Sequence, residues 1–219
     1  KNSKGLPNKN IKPLNRKPLI KHTIDFAKKI KYFNEIVISS DSLVIEKIAI
    51  KEGLQFDKRP RSLSGDLIPE LNVWKYVLNK MINKKTINKN DSVVILPCTA
   101  PLRRLVDVKN IIKKFLNSQA NGIVAITESK KNPYFNMVNK NNNNKISKLF
   151  KNTNNINRRQ DAPTIYEITT NCYIFNIDYI LKTKNIFSNN IEGFEVPYNT
   201  TLDIDNKFDF TLAKLLINK

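Results

Sequence analysis

The amino-acid sequence predicts an α/β fold in which helices cover both faces of a mostly parallel β-sheet. Segments with apolar residues at helical spacing alternate with short, continuous apolar runs, which is the pattern of a parallel sheet wound with helices. The chain has 219 residues and is 40% hydrophobic, enough for a real core in one domain. No run approaches the roughly eighteen apolar residues of a membrane span. We therefore expect a single domain over 1–219 that does not enter a membrane.

The elements follow in order from these periodicities. Helical spacing predicts helices at 17–30, 42–51, 69–82, 106–115 and 206–217. Short apolar runs predict buried strands at 35–40, 54–56, 91–96 and 122–127. This alternation of helices and strands ends after residue 127, where a Pro-containing segment, an Asn run and a short polar stretch suggest turns and a hairpin.

Charge and cysteine usage limit the partners. The net charge of +19 is compatible with a nucleic-acid partner, but lysine is spread along the chain and no nucleic-acid-binding motif accompanies it. A positive field also favours capture of an anionic small molecule. The only cysteines, Cys98 and Cys172, lack a metal spacing and predict reduced thiols in a cytoplasmic protein.

The first ten residues form a basic, polar loop, with the stretch SKGLPNKN at 3–10. Gly5 lets the backbone turn its N–H groups toward an anion, and Lys4 and Lys9 add positive charge. Such a loop suits triphosphate binding, although a basic terminus can equally be a solvated tail.

A pair of aspartates lies near the other end of the chain, in TLDID at 201–205. In an extended segment Asp203 and Asp205 project to one face, while Ile204 points into the core. Two carboxylates on one face suit Mg²⁺, which keeps several waters and is completed by substrate phosphates. The alternative is that Asp205 caps the helix that follows.

Together these stretches resemble the acylneuraminate cytidylyltransferase (CMP-sialic acid synthetase) family over nearly the whole length. The matching segments are SKGLPNKN at 3–10, RPRSLSGD at 59–66, TAPLR at 99–103, RQDAP at 159–163 and the Asp203–Asp205 pair. The strand and arginine that the family carries before the loop are not in this sequence, so we expect a truncated or incompletely recorded chain.

The resemblance implies a three-layer, Rossmann-like nucleotidyltransferase fold with a small dimerisation extension at 130–168, and a homodimer. It implies transfer of CMP from CTP to an acidic 2-keto sugar of the nonulosonic class, with Mg²⁺ as cofactor and release of pyrophosphate. The implied catalytic residues are Lys9, Asp203 and Asp205, the two aspartates also being the metal ligands. The implied nucleotide-binding residues are Ser3, Lys4, Gly5, Lys9, Asn10, Arg59 and Asp66, and the implied sugar-binding residues are Arg159 and Gln160.

The choice of sugar stays open from sequence. NPYFN at 132–136 resembles members that act on legionaminic-acid-type sugars. Glu167 stands where some sialic-acid enzymes carry an arginine for the sugar carboxylate, which indicates another sugar acid or another anchor. The alternatives are a cytidylyltransferase for the eight-carbon acid Kdo, a basic nucleic-acid-binding module, and a fragment that folds without catalysis.

Overall fold

The structure is a computed structural model that describes residues 5–65, 67–150 and 158–217. The strands are β1 (Pro13–Leu14), β2 (Lys17–Pro18), β3 (Val37–Ser40), β4 (Gln55–Lys58), β5 (Ser92–Ile95), β6 (Gly122–Glu128), β7 (Val138–Lys140), β8 (Ile146–Lys148), β9 (Tyr166–Asn176) and β10 (Ile191–Glu195). The α-helices are α1 (Leu19–Ala27), α2 (Leu43–Lys51), α3 (Glu70–Asn83), α4 (Leu105–Leu116), α5 (Ile177–Lys182) and α6 (Lys207–Leu216).

The main sheet has the order β10-β6-β9-β5, and it is mixed rather than mostly parallel. β10 and β6 are parallel, whereas β9 is antiparallel to both β6 and β5. In the described part of the connection from β6 to β9 there is no α-helix, and β9 begins at the end of the sheet where β6 finishes, so the two strands run antiparallel. The expectation of a parallel pairing holds for β3 with β4 and for β10 with β6.

Helices cover both faces of this sheet, as the three-layer prediction requires. Ile123 of β6 and Cys172 of β9 point to one face and pack with Ile111 of α4 in a buried cluster. Val124 and Phe175 point to the other face, in a cluster that includes Leu78 of α3 and Ile180 of α5. The alternation of side chains along each strand thus supplies two cores, one on each side.

Three elements were not predicted from the sequence: the β1–β2 hairpin, α5 and β10. The hairpin turns through Asn15 and Arg16, both at positive φ, which is the backbone of a two-residue primed turn. The turn residues are Asn-Arg rather than the Asn-Gly that usually signals such a turn in a sequence, and arginine is rare at positive φ. α5 continues the apolar run of β9 without a break, which hides the change from strand to helix.

The segment after β6 contains the predicted hairpin, formed by β7 and β8. Beyond it, residues 151–157 lie outside the described part, and a short 3-10 helix at Arg159–Asp161 leads into β9. The described parts of this connection join the end of β6 to the start of β9, at the end of the sheet where β5 and β10 also finish.

Candidate active site

The N-terminal loop lies directly against the segment that carries the two aspartates, although the two are about two hundred residues apart in sequence. A Cβ atom on Gly5 would lie 2.3 Å from the carbonyl oxygen of Asp205 and 3.6 Å from the Cα of Asn206. Only a residue without a side chain fits at that distance. Gly5 is therefore required by close approach of two backbones.

Two further residues hold the loop in place. Leu6 is buried in a cluster with Ile204 and with Phe210 of α6. The ammonium of Lys9 donates to the carbonyl oxygen of Ile204 at 2.8 Å and to Oδ1 of Asp205 at 3.0 Å. A solvated tail would make none of these contacts, so from Gly5 onward the loop is part of the folded core.

The aspartate segment alternates as the sequence predicts, although it is not a β-strand. Ile204 is fully buried, Asp203 is half-buried and Asp205 is exposed. The N–H of Ile204 donates to the carbonyl oxygen of Thr99 at 2.9 Å, which fixes the segment to the turn after β5. Both carboxylates consequently lie at the carboxyl end of that strand, where ligands of open α/β sheets bind.

Asp205 does not cap α6, so this alternative is wrong. The N-cap is Asn206, whose side chain accepts from the N–H groups of Phe208 and Asp209. Asp209 completes a capping box by accepting from the N–H of Asn206 and also from that of Asp205. The Asp205 carboxylate therefore takes no part in capping the helix; it pairs with Lys9 and remains available to the candidate site.

The two carboxylates fit a magnesium ion that takes its remaining ligands from elsewhere. Oδ1 of Asp203 is buried and accepts no hydrogen bond, which is costly for a carboxylate unless a cation satisfies it. In the ranges the structure covers, no group of three His, Cys, Asp or Glu side chains is placed to hold a metal. The protein would supply two oxygen ligands, and water and substrate phosphates the rest.

Asp203 is one of five residues with a buried side-chain polar atom that has no hydrogen-bond partner among the described residues. The other four atoms are Nε of Arg103, Oγ1 of Thr170, Oδ1 of Asn171 and Oδ1 of Asn10. Asn171 also donates to the hydroxyl of Thr200 at 3.3 Å, in the turn that leads to the aspartates. Buried unpaired polar groups are rare in folded proteins, so each of these atoms calls for a partner such as a ligand, a cation or water.

The electrostatics of this region are those of a carboxylate-rich cleft. Burial raises the pKa of Glu70, the first residue of α3, and the negative charge of Asp203 raises it further, while Arg59 opposes both. The side chain of Glu70 remains accessible to solvent. Burial, then Glu70 and Asp203, raise the pKa of Tyr173 to about 12. Sequence reasoning did not assign Glu70, Tyr173 or Arg103 to the site, because their proximity depends on the packing of α3, β9 and β5.

Arg59 follows β4 and is held by β3. Its guanidinium donates to the carbonyl oxygen of Ser39 at 2.7 Å and to the Ser39 hydroxyl at 3.3 Å. That hydroxyl donates in turn to the buried carboxylate of Asp57 at 2.8 Å, and Asp57 pairs with Lys80 of α3 at 2.6 Å. This network fixes the guanidinium of Arg59, whose positive charge acts on Glu70.

The remaining predicted residues fall in two groups. Gln160 is exposed and lines a groove of about 1040 Å³ between the carboxyl ends of β6 and β10, together with Lys130, Glu195 and Tyr198. The groove's lining includes neither Asp203 nor Asp205. Ser3, Lys4 and Asp66 lie outside the described residues, as does the side chain of Arg159.

Comparison with known proteins identifies the family that shares this arrangement. A family model described as cytidylyltransferase matches residues 1–215. The chain belongs to the cytidylyltransferase family. The predicted enzyme class, a nucleotidyltransferase, is thereby confirmed.

Curated relatives cover almost the whole of this cytidylyltransferase. It is 33% identical over 218 residues to the CMP-N,N'-diacetyllegionaminic acid synthase of Campylobacter jejuni, covering 99% of this chain and 91% of the relative. It is 32% identical to the post-translational flagellin modification protein B of Campylobacter coli, with the same coverages. It is 30% identical to a pseudaminic acid cytidylyltransferase of Campylobacter jejuni, covering 98% of this chain and 91% of the relative.

Solved structures support the fold of the cytidylyltransferase. A CMP:2-keto-3-deoxy-manno-octonic acid synthetase complexed with CTP has a TM-score of 0.71 at 15% identity, covering 99% of this chain and 94% of that one. A 4-diphosphocytidyl-2C-methyl-D-erythritol synthase has a TM-score of 0.70 at 10% identity, covering 95% of this chain and 94% of that one. At these identities the likeness shows a shared α/β nucleotidyltransferase fold. Among the described residues, no helix has the length and apolar character needed to cross a membrane.

Proposed function

We propose that this cytidylyltransferase transfers CMP from CTP to a nonulosonic acid of the legionaminate type and releases pyrophosphate. The observation that carries the proposal is the docking of the Gly5–Lys9 loop onto the Asp203–Asp205 segment. A triphosphate-binding loop and a carboxylate pair are the two parts that nucleotidyl transfer requires, and here they share one surface. The names of the legionaminate and pseudaminate relatives support the sugar class.

Each side of the site has its own residues. Lys9 has three N–H donors and uses two on Ile204 and Asp205, which leaves one for a phosphate oxygen. The loop, with Ser3, Lys4 and Gly5, would hold the triphosphate, and Asn10, Arg59 and Asp66 the cytidine side. Arg159 and Gln160 would contact the sugar acid.

Asp203 and Asp205 would hold Mg²⁺, which when bound neutralises charge on the phosphates. The anomeric hydroxyl of the sugar then attacks the α-phosphorus in line, and the bond to the pyrophosphate oxygen breaks. The chain contributes positioning and electrostatic stabilisation, and no covalent intermediate is required. Its net charge of +19 favours capture of two anionic substrates. We place the reaction in the cytoplasm, consistent with two free thiols of which Cys172 is fully buried.

The test is a sugar panel with CTP and Mg²⁺. Pyrophosphate release is measured with legionaminic, pseudaminic, neuraminic and Kdo acids, and kcat/KM is compared. We expect the highest kcat/KM with a legionaminic acid. Turnover with Kdo alone would indicate instead a cytidylyltransferase for that eight-carbon acid. No pyrophosphate release with any of the four acids, together with salt-dependent RNA or DNA binding, would favour the basic nucleic-acid-binding module instead.

We also propose that the enzyme is a homodimer through the extension at 130–168. Within its described part, the extension exposes an unusual number of large apolar side chains, namely Phe135, Met137, Val138, Ile146, Phe150, Tyr166 and Ile168. An apolar surface of this kind on a protein this basic marks an interface. The resemblance implies that the partner is a second copy and that each extension reaches the other copy's site.

Introduction of a positive charge into this apolar surface by Ile146→Lys is expected to shift the protein from dimer to monomer in analytical ultracentrifugation. Ile146 is 68% exposed in the single chain, so lysine there costs the monomer nothing but disrupts an apolar interface. Ile50→Lys is the matched control, since Ile50 is 66% exposed on α2, outside the extension. A wild-type protein that is monomeric at every concentration tested would rule the interface out.

A further inference from the structure

Arg103 is a buried arginine without a carboxylate partner. It is 6% exposed, and in the part of the chain that the structure describes it forms no ion pair. Its guanidinium instead lies 5.7 Å from the centre of the Phe26 ring. Burial lowers the pKa of Arg103 to about 10. Keeping a charge in such a place costs stability, so an arginine here needs a reason.

The hydrogen bonds of Arg103 join three segments that surround the site. Nη2 donates to the carbonyl oxygen of Pro97, in the turn after β5, and lies 3.5 Å from the carbonyl oxygen of Thr170 in β9. Nη1 donates to the hydroxyl of Thr23 in α1 at 3.4 Å. The planar guanidinium presents five N–H donors in a wide, fixed fork, whereas the compact lysine ammonium carries three donors at a single point.

The turn that Arg103 holds is the one that holds the aspartates. Pro97 lies two residues before Thr99, and the carbonyl oxygen of Thr99 accepts the N–H of Ile204 at 2.9 Å. Ile204 lies between Asp203 and Asp205. A displacement of the turn would therefore displace both carboxylates together.

We propose that Arg103 is a positioning residue for the Asp203–Asp205 pair, acting through the turn at 97–99. Its consequence for catalysis rests on the proposed function, whereas its effect on the carboxylate pair does not. The charge of Arg103 has a second use: its guanidinium lies close enough to the Asp203 carboxylate for the two opposite charges to attract each other. A guanidinium there makes it less costly to keep a carboxylate half-buried until a cation binds.

The test uses Arg103→Lys and Arg103→Met, with Mn²⁺ as the metal probe. Mn²⁺ binding in the presence of CTP is followed by electron paramagnetic resonance, and kcat and the KM for CTP by pyrophosphate release. Because outer partners of metal ligands are typically worth about 10–100-fold in metal affinity or activity, we expect losses of this size in Arg103→Met. Arg103→Lys keeps the charge but not the three-way bridge, so we expect an intermediate loss. The KM for CTP should change little, since the hydrogen bonds of Arg103 go to Thr23, Pro97 and Thr170 and none goes to the described part of the N-terminal loop.

Arg104→Met is the matched control. Arg104 is the next residue along the chain, is half exposed and pairs with Asp107 of α4 at 2.6 Å, away from the turn. It should leave Mn²⁺ affinity and kcat unchanged. Wild-type Mn²⁺ affinity and kcat in folded Arg103→Lys and Arg103→Met would overturn the inference and leave the proposed function standing. A wild-type enzyme that turns over no sugar, with Mn²⁺ binding still weakened in the Arg103 variants, would overturn the function and leave the inference.

Discussion

Asp203→Asn is expected to lower kcat by about 10²–10³-fold, the typical cost of removing one preorganised group that stabilises transition-state charge. Asparagine keeps the shape of the side chain but removes the negative charge that would hold Mg²⁺. The concentration of Mg²⁺ needed for half-maximal rate should rise as well. Steady-state pyrophosphate release over a Mg²⁺ series measures both quantities.

The same substitution should not lower the melting temperature. Oδ1 of Asp203 is buried and accepts no hydrogen bond, so the wild-type carboxylate is a cost to the folded state. A neutral amide is cheaper to bury, and we expect stability to be unchanged or higher, as at other sites where activity is maintained against stability. Asp178→Asn is the control, because Asp178 pairs with Lys182 on α5 and lies far from the loop. If Asp203→Asn retains the wild-type kcat, the carboxylate pair is not the metal site.

Gly5→Ala is expected to lower kcat/KM for CTP by about 100-fold, the scale of a misplacement of about 1 Å in an active site. The added Cβ would meet the carbonyl oxygen of Asp205 at 2.3 Å. That carbonyl cannot retreat easily, because its segment is pinned by the Ile204–Thr99 hydrogen bond and by the capping box of α6. The loop must therefore move away from the Asp205 segment, and this movement weakens the Lys9–Asp205 ion pair. Kinetics at varied CTP measure the loss.

Gly53→Ala separates this effect from a general loss of stability. Gly53 has φ +67° and nothing within 4 Å of its added Cβ, so alanine there is strained without touching the site. We expect a destabilisation of about 1 kcal/mol in chemical unfolding and an unchanged kcat/KM. Wild-type kinetics in Gly5→Ala would mean that the loop does not dock on Asp205 during catalysis.

The features predicted best from the sequence are those that depend on a strong preference of single residue types for burial or exposure. Periodicity predicted α2 and α4 to within one or two residues, because their apolar faces alternate regularly with lysine. The alternation of Ile204 between two aspartates also held, since burial of isoleucine and exposure of carboxylates are strong preferences. The direction of β9 was not predictable in this way, because it depends on the path of the preceding connection rather than on the strand's own residues.

Contacts between residues that lie far apart in the sequence could not be predicted either. The sequence marks the loop and the aspartate pair as separate motifs at opposite ends of the chain, and only packing shows that Gly5 touches Asp205. That Asp205 is not the cap of α6 likewise depended on Asn206 and Asp209, which form the capping box between them. Arg103 belongs to the TAPLR segment that resembles the family, but the sequence did not show its role, because its partners are two backbone carbonyl oxygens and the hydroxyl of the distant Thr23.

The most direct measurement follows the phosphates of CTP. The protein is incubated with Mg²⁺, the preferred sugar acid and CTP labelled at either the α- or the γ-phosphate, and the products are separated. Nucleotidyl transfer predicts that the α-label appears in the CMP-sugar and the γ-label in pyrophosphate, with both lost in Asp203→Asn. Release of the γ-label as orthophosphate, or no transfer of the α-label to the sugar, would contradict the account.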